Sequence, residues 1–211
     1  MATKYARQLD IIDIEKLNIP IHVIGAGGIG SWTTLLIAKM GCPQIYVYDD
    51  DIVEEHNIAS QFFTEKQQGQ LKVEALQKNV LQQTGIKIMT APQNLEEKIS
   101  RGLIIMAVDS IEERGRLANI YKDKDIYIID GRMGGLQLEI HTCPSNYYPK
   151  TIVSPEEIDH EPCTAKSICF NCAVIGGLIA NYVRLFIDGR IINGNIIIGF
   201  NNLELLKEKY D

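Results

Sequence analysis

The sequence predicts a doubly wound α/β protein whose sheet is mostly parallel and gives way to antiparallel C-terminal strands with a terminal hairpin. Three observations lead to this expectation. A short apolar run, Ile21 to Ile24, stops at a glycine-rich turn, Gly25-Ala26-Gly27-Gly28-Ile29-Gly30, and apolar residues then recur at helical spacing. Two later runs, Leu103 to Val108 and Ile126 to Ile129, are continuous, as in strands covered on both faces, and each ends in an aspartate. From Leu136 onward the pattern changes to the alternation of an antiparallel strand.

Composition narrows the class further. With 211 residues, 45% of them apolar, the chain can bury a substantial core, and one domain over residues 1–211 is expected. A formal net charge of −6 and the lack of any basic run argue against nucleic acid and anionic membrane surfaces as partners. No signal-peptide pattern and no twenty-residue apolar span open the sequence, so a cytoplasmic setting is expected. Five cysteines, an odd number, do not read as a disulfide framework.

Taken in order, Tyr5 to Leu17 reads as an N-terminal helix leading into the first strand. The first helix carries Ile29, Trp32, Thr33, Leu36 and Ala38 to Met40 at its spacing, and a second strand, Ile45 to Tyr48, ends in Asp49-Asp50-Asp51. Residues 52–63 are polar and irregular. A helix follows from Gly69 to Leu81, stopped by Thr84 and Gly85, then a short strand from Ile86 to Thr90 and a helical turn from Leu95 to Ile99. Ser110, with Glu113 three residues on, forms a capping-box pattern for a helix to Tyr121. Leu136 to Thr142 is a strand, and Cys143 to Cys163 a loop. Asn171 to Phe186 is a long apolar helix whose Gly176-Gly177 pair suits close packing. A hairpin turning at Asn193-Gly194 and a polar C-terminal helix close the chain.

The glycine turn has a physical rationale. Gly25 permits a tight turn, Gly27 lets backbone approach a phosphate, and Gly30 lets the helix pack against the strand. N–H groups and the positive end of the helix dipole then hold an anion. Asp49 or Asp51, at the end of the second strand, can accept hydrogen bonds from ribose. On these residues alone NAD, FAD and ATP all fit.

The order of further motifs is more specific. Tyr5-Ala6-Arg7-Gln8, Gly25 to Ser31, Asp49 to Val53 with Asn57 and Gln61, Gly69-Gln70-Leu71-Lys72, and Asp109 with Arg114 cover most of residues 4–135. In this order the chain resembles the ThiF/MoeB/HesA family, the ubiquitin-activating-like adenylyltransferases. The resemblance implies ATP and Mg²⁺ as cofactors and activation of a C-terminal carboxylate as an acyl-adenylate, with release of pyrophosphate. It implies that Gly25, Gly27, Gly28 and Gly30 form the nucleotide turn. Asp49 would hold ribose with Asp51 nearby, Asn57, Gln61 and Lys72 would face the nucleotide, and Asp109 would hold Mg²⁺. Arg7 would reach the ATP of a neighbouring subunit in a homodimer. The implied partner is a small ubiquitin-fold or sulfur-carrier protein, or a peptide, with a free C-terminus. A carboxylate is already ionised at neutral pH, so the chemistry needs fixed cations rather than a general base. One departure stands out: Ser60 occupies the place of the arginine in the family's N-x-x-R-Q, which points to a weakened or scaffold-like relative as an alternative.

The cysteines divide in two. Cys163, with Lys166 nearby, resembles the loop position at which family members carry a thioester-forming thiol, and an acyl-adenylate is an electrophile that a thiolate attacks. Cys169 and Cys172 form a C-x-x-C, but one pair alone disfavours structural zinc, and core packing explains it. His22 and His141 lie within strands and read as structural, His56 as a loop residue, and Trp32 as core. An NAD-dependent oxidoreductase would share the glycine turn but has no use for Lys72 and Asp109 in this arrangement.

Overall fold

The computed structural model describes residues 4–91, 97–152 and 167–210. Its centre is one eight-stranded sheet. Five strands are parallel: β1 (Ile21–Ile24), β2 (Ile45–Tyr48), β3 (Met89–Ala91), β4 (Arg101–Met106) and β5 (Asp125–Gly134). Three antiparallel strands extend it: β6 (Gln137–Pro144), β7 (Gly194–Gly199) and β8 (Glu204–Lys209). The order across the sheet is β3-β2-β1-β4-β5-β6-β7-β8. The chain therefore reverses its winding between β1 and β4, where open α/β sheets leave a crevice at the strands' carboxyl ends.

Strand residues alternate between two cores. Ile21 and Val23 of β1, with Leu103 and Ile105 of β4, face a layer formed by α1 (Gly28–Met40), α2 (Lys72–Thr84) and α4 (Cys169–Ile187). Ile24, Ile104 and Met106 face the other way, toward α3 (Ile111–Tyr121) and the buried Tyr148. By length and composition α4 could cross a membrane, but it lies along α1 and against β5 and β6, with Ile175, Ile179 and Val183 fully buried. Gly176 makes that packing possible, since a Cβ there would stand 3.0 Å from the Trp32 Cβ.

The expected doubly wound sheet, the helices between its strands and a terminal hairpin are present. Ser110 Oγ accepts from the Glu113 N–H at 3.2 Å, the cap expected of α3. Three local expectations fail. Tyr5 to Leu17 forms two short 3-10 turns, Ala6–Gln8 and Ile14–Leu17, because the Asp13 carboxylate takes the Glu15 N–H and restarts the chain. Asn193-Gly194 is not the hairpin turn. Gly194 opens β7, where a Cβ would lie 2.1 Å from the Glu208 carbonyl oxygen, and the turn falls at residues 200–203, with Leu203 at φ +54°. The predicted C-terminal helix is strand β8. Its Glu, Leu and Lys content favours helix, but pairing with β7 from Gly199↔Glu204 to Gly194↔Lys209 overrides that weak preference. Of the predicted turn from Leu95 to Ile99, Leu95 and residue 96 lie outside the described residues.

The glycine turn fixes how α1 meets the sheet. A Cβ on Gly30 would stand 1.9 Å from the Gly25 carbonyl oxygen, a contact no side chain can make, whereas a Cβ on Gly115 in α3 meets nothing within 4 Å. Gly30→Ala is expected to cost about 3 kcal/mol or more, at or beyond the usual cost of overpacking. Gly115→Ala should instead gain about 0.5–1 kcal/mol from helix propensity. Urea unfolding of the two variants beside the parent protein measures both.

Candidate functional site

The carboxyl ends of β1, β2 and β4 converge on the glycine turn. Gly25, at φ +98°, is pressed against β4, so that a Cβ would lie 2.5 Å from the Ala107 carbonyl oxygen. Gly27 is open by contrast, the nearest atom to a Cβ there being Gln61 Nε2 at 3.9 Å. An anion can therefore approach the Gly27 backbone at the N-terminus of α1. The Gln61 Oε1 is buried and has no hydrogen-bond partner among the described residues. Gln61 thus brings two polar atoms to the turn, one of them uncompensated.

Two of the three aspartates after β2, Asp49 and Asp51, have separate tasks. Asp49 accepts from the Ala26 N–H at 2.6 Å and from the Asp51 N–H at 2.9 Å, tying β2 to the glycine turn. Burial pushes its carboxyl above the ordinary range, against the pull of those N–H groups and of Lys72. Asp51 is exposed and pairs with the buried Lys72 ammonium at 2.6 Å, while its carbonyl accepts the Lys72 N–H at 2.9 Å. The first turn of α2 is thereby clipped to the end of β2. The carboxylates of Asp49, Asp50 and Asp51 lie within 4.8 Å of one another.

Asp109 stands exposed immediately beyond β4, two residues from the Ala107 carbonyl that touches Gly25. Asn57 is buried, and its carboxamide oxygen accepts the Glu54 N–H at 2.9 Å, capping the turn Glu55–Asn57. Ser60 is buried too. Its carbonyl accepts from Trp32 Nε1 at 2.8 Å, and Ser31 Oγ accepts the Phe62 N–H at 3.1 Å, so residues 57–62 are fastened onto α1. Trp32 is only partly buried and packs against Phe62. Arg7 is not brought to this turn. Its segment lies at the opposite end of α1, where Gln8 Nε2 donates to the Met40 carbonyl at 2.5 Å, roughly 20 Å away by the rise of a thirteen-residue helix. Cys163 and Lys166 lie outside the described residues. Cys169 is exposed and Cys172 buried, its Sγ 2.9 Å from the position of a Gly28 Cβ. His22 bonds to the Tyr48 hydroxyl at 2.9 Å and is held neutral by burial, which lowers it to about 4. His141 lies between Glu139 and Tyr210, and His56 is exposed, 3.6 Å from Glu54.

A buried charge cluster beside the turn went unrecognised in the sequence. Asp130, fully buried at the last parallel pairing of β5 with β4, receives Arg114 Nε at 3.1 Å, Arg132 Nε at 2.8 Å and the Tyr148 hydroxyl at 3.0 Å. Arg114 also donates to the Gly131 carbonyl at 2.9 Å, and Arg132 to the Thr151 carbonyl at 3.0 Å. Three distant segments meet on one carboxylate. The only sequence signal was an aspartate ending an apolar run with an arginine two residues on, which does not reveal a partner sixteen residues back.

An open glycine turn at the switch point of a doubly wound sheet, with a carboxylate and an ammonium near it, defines a Rossmann-like α/β protein. The chain belongs to the ThiF family, whose model matches residues 5–210. It is 33% identical over 96 residues to ubiquitin-like modifier-activating enzyme 5 of Aedes aegypti, covering 44% of this chain and 24% of that protein. It thus spans about a quarter of that curated relative. Among solved structures, it resembles E. coli MccB with MccA-N7isoASN (TM-score 0.81, 19% identity, 98% of this chain and 72% of that one). It also resembles E. coli MccB with ATP (TM-score 0.79, 18% identity, 98% and 71%). These structural likenesses establish the shared fold.

Burial alone would raise the Asp130 carboxyl, but Arg114 and Arg132 outweigh it and hold it below the usual carboxylate range. A carboxyl depressed on folding contributes stability that is fully present above its unfolded value near pH 4 and is lost as pH falls through the folded value. Asp130→Asn, which leaves two buried guanidinium groups without their anion, is expected to cost about 3–5 kcal/mol at pH 7. The difference between variant and parent should shrink as pH is lowered below about 4. Urea unfolding at a series of pH values checks both the loss and its direction.

Proposed function

We propose that residues 1–211 act as one ThiF-type adenylation domain. The domain would transfer AMP from ATP to the C-terminal carboxylate of a peptide or of a small ubiquitin-fold or sulfur-carrier protein, releasing pyrophosphate, in a cytoplasmic setting. The observation that carries this reading is the Asp51–Lys72 pair at the mouth of the glycine turn. An ammonium buried at the start of α2 and held by an exposed carboxylate can be handed to a phosphate when a nucleotide arrives. An oxidoreductase using NAD has no need of such a cation. Ribose would fall to Asp49, whose oxygens already anchor the turn, and phosphates to the Gly27 backbone, with Gln61 alongside.

The donor set also suits Mg²⁺. Asp49 and Asp51 are engaged by N–H groups and Lys72, whereas the exposed Asp109 carboxylate has no partner among the described residues. Mg²⁺ takes one or two carboxylates together with substrate phosphates, and Asp109 offers such a ligand on the β4 side of the turn. When bound, the ion would neutralise charge gathering on phosphate oxygens. The incoming carboxylate would attack the α-phosphorus and form a P–O bond as the bond to pyrophosphate breaks. Lys72 would stabilise the equatorial oxygens.

Arg7 lies too far from its own turn to serve it, so we assign it to the site of a second copy. Ser60, buried where the family arginine is expected, favours a second reading in which the chain binds nucleotide without turning it over. ATP:pyrophosphate exchange with peptides and carrier proteins ending in free carboxylates decides between them. Carrier-dependent exchange, lost in Asp109→Ala and reduced about 10²–10³-fold in Lys72→Met, is the expected outcome. ATP binding without exchange toward any acceptor would favour the scaffold. Mixing inactive Arg7→Ala and Asp109→Ala proteins should restore about a quarter of parent activity, because half of the randomly formed dimers then contain one complete site. No recovery on mixing would rule out the shared site.

A further inference from the structure

The C-x-x-C at the start of α4 is placed unlike two core residues. Cys169 is the first residue of the helix and is exposed, whereas Cys172 is fully buried. Residues three apart on a helix lie about 5–6 Å apart between Cβ atoms, and a disulfide needs about 3.5–4.5 Å. No side chain caps this terminus, so a tightening of its first turn breaks no cap. The buried sulfur is also in contact with the glycine turn. Cys172 Sγ lies 3.1 Å from Ser167 Oγ, and these two atoms stand 2.9 Å and 3.0 Å from where a Cβ on Gly28 would be. Gly28 is the first residue of α1. The thiol therefore packs directly against the N-terminus of α1, where the adenylation reading places the phosphates.

We propose that Cys169 and Cys172 form a redox site that closes to a disulfide at the expense of a low-molecular-weight disulfide such as oxidised glutathione, and that closure loosens the nucleotide turn. The exposed Cys169 thiolate attacks one sulfur of the external disulfide, forming a mixed disulfide and expelling one thiolate. The Cys172 thiolate then attacks the Cys169 sulfur, forming the internal S–S bond and expelling the second thiolate. The two protons lost by the cysteines end on the two released thiols, so two protein thiols and one disulfide become one protein disulfide and two small thiols. Burial raises the Cys172 thiol, which slows the second step. Closing the bond draws Sγ toward Cys169 and away from Gly28 and Ser167, leaving a gap under the first turn of α1. The structural dithiol stands on its own geometry, while its effect on nucleotide rests on the adenylation reading above.

Trypsin releases residues 167–184 as one peptide carrying these two cysteines and no other. After equilibration of the intact protein in glutathione buffers, that peptide is expected to lose two hydrogens in mass, reversibly on adding a phosphine reductant. Cys172→Ser should instead trap glutathione on Cys169. A peptide that stays reduced, or that carries only glutathione in the parent protein, overturns the dithiol. Titration of ATP into reduced and oxidised protein then reads the coupling: several-fold weaker binding after oxidation, absent in Cys172→Ser, is expected. Equal affinity in the two states overturns the coupling. If reduced protein binds no ATP, the adenylation reading fails, and the peptide mass alone still decides whether the disulfide forms.

Discussion

The close crossing of Gly25 and Gly30 is the constraint from which the rest of the site follows. With 1.9 Å between the Gly25 carbonyl oxygen and a hypothetical Cβ at Gly30, α1 leaves the sheet at one angle only. Gly25 is wedged in turn against Ala107, where a Cβ would lie 2.5 Å from the carbonyl oxygen, so the turn is locked to the end of β4 as well as to β1. That double contact sets the helix N-terminus above the gap where the winding reverses. Once it is set, the ends of β2 and β4 can only present their aspartates around it. The Ala26 N–H, facing Asp49 at 2.6 Å, adds an electrostatic tie to the steric one.

A second constraint joins the two halves of the sheet. β5 is parallel to β4 through Asp130 and continues as one arm of an antiparallel hairpin with β6, so its middle must satisfy two geometries. The pairing with β6 runs from Tyr127 to Gly134, while that with β4 ends at the buried Asp130. Its oxygens gather a guanidinium from α3, another from β5 itself and a hydroxyl from the turn Tyr148–Thr151. A charge buried this deeply is costly unless paired, and double pairing makes the alternative arrangements of these three segments costlier still. Gly131, its carbonyl held by Arg114, then stays packed against Ile29 of α1 and Ile175 of α4. The cluster is thus a scaffold for the site without touching its opening.

What the sequence reveals here follows the range of the forces involved. The glycine turn, the caps at Ser110 and Gly85 and the buried parallel strands are set within a few residues, and each could be read from spacing. The aspartates of the site were legible because they end apolar runs. Apart from the N-terminal segment, broken locally at Asp13, the failures are long-range. β8 reads as helix because its partner strand lies ten residues upstream, across a turn with no Asn-Gly or Gly-Gly signal. The Asp130 cluster needs Arg114, Arg132 and Tyr148 to be brought together by three different elements. The contact between Cys172 and Gly28 spans most of the chain. No periodicity encodes such a meeting, although Gly28 and the C-x-x-C were each visible alone.

The electrostatics of the turn bear on what it can bind. Asp49, Asp50, Asp51 and Asp109 stand around it, and among the described residues Lys72 is the cation beside them, already paired with Asp51. Arg114 and Arg132 are turned inward onto Asp130. A polyphosphate entering this ring meets like charge on its flanks, and N–H groups at one helix end amount to only about half a positive charge. Binding without added cations would favour a neutral or singly charged ligand. In the adenylation reading proposed above, a triphosphate would become favourable once a divalent ion joined Asp109 and a guanidinium arrived from a second copy. On that reading the deficit left by Ser60 would be one of charge, and we propose Arg7 of a second copy as its source, since the Arg7 segment lies at the far end of α1 from its own turn.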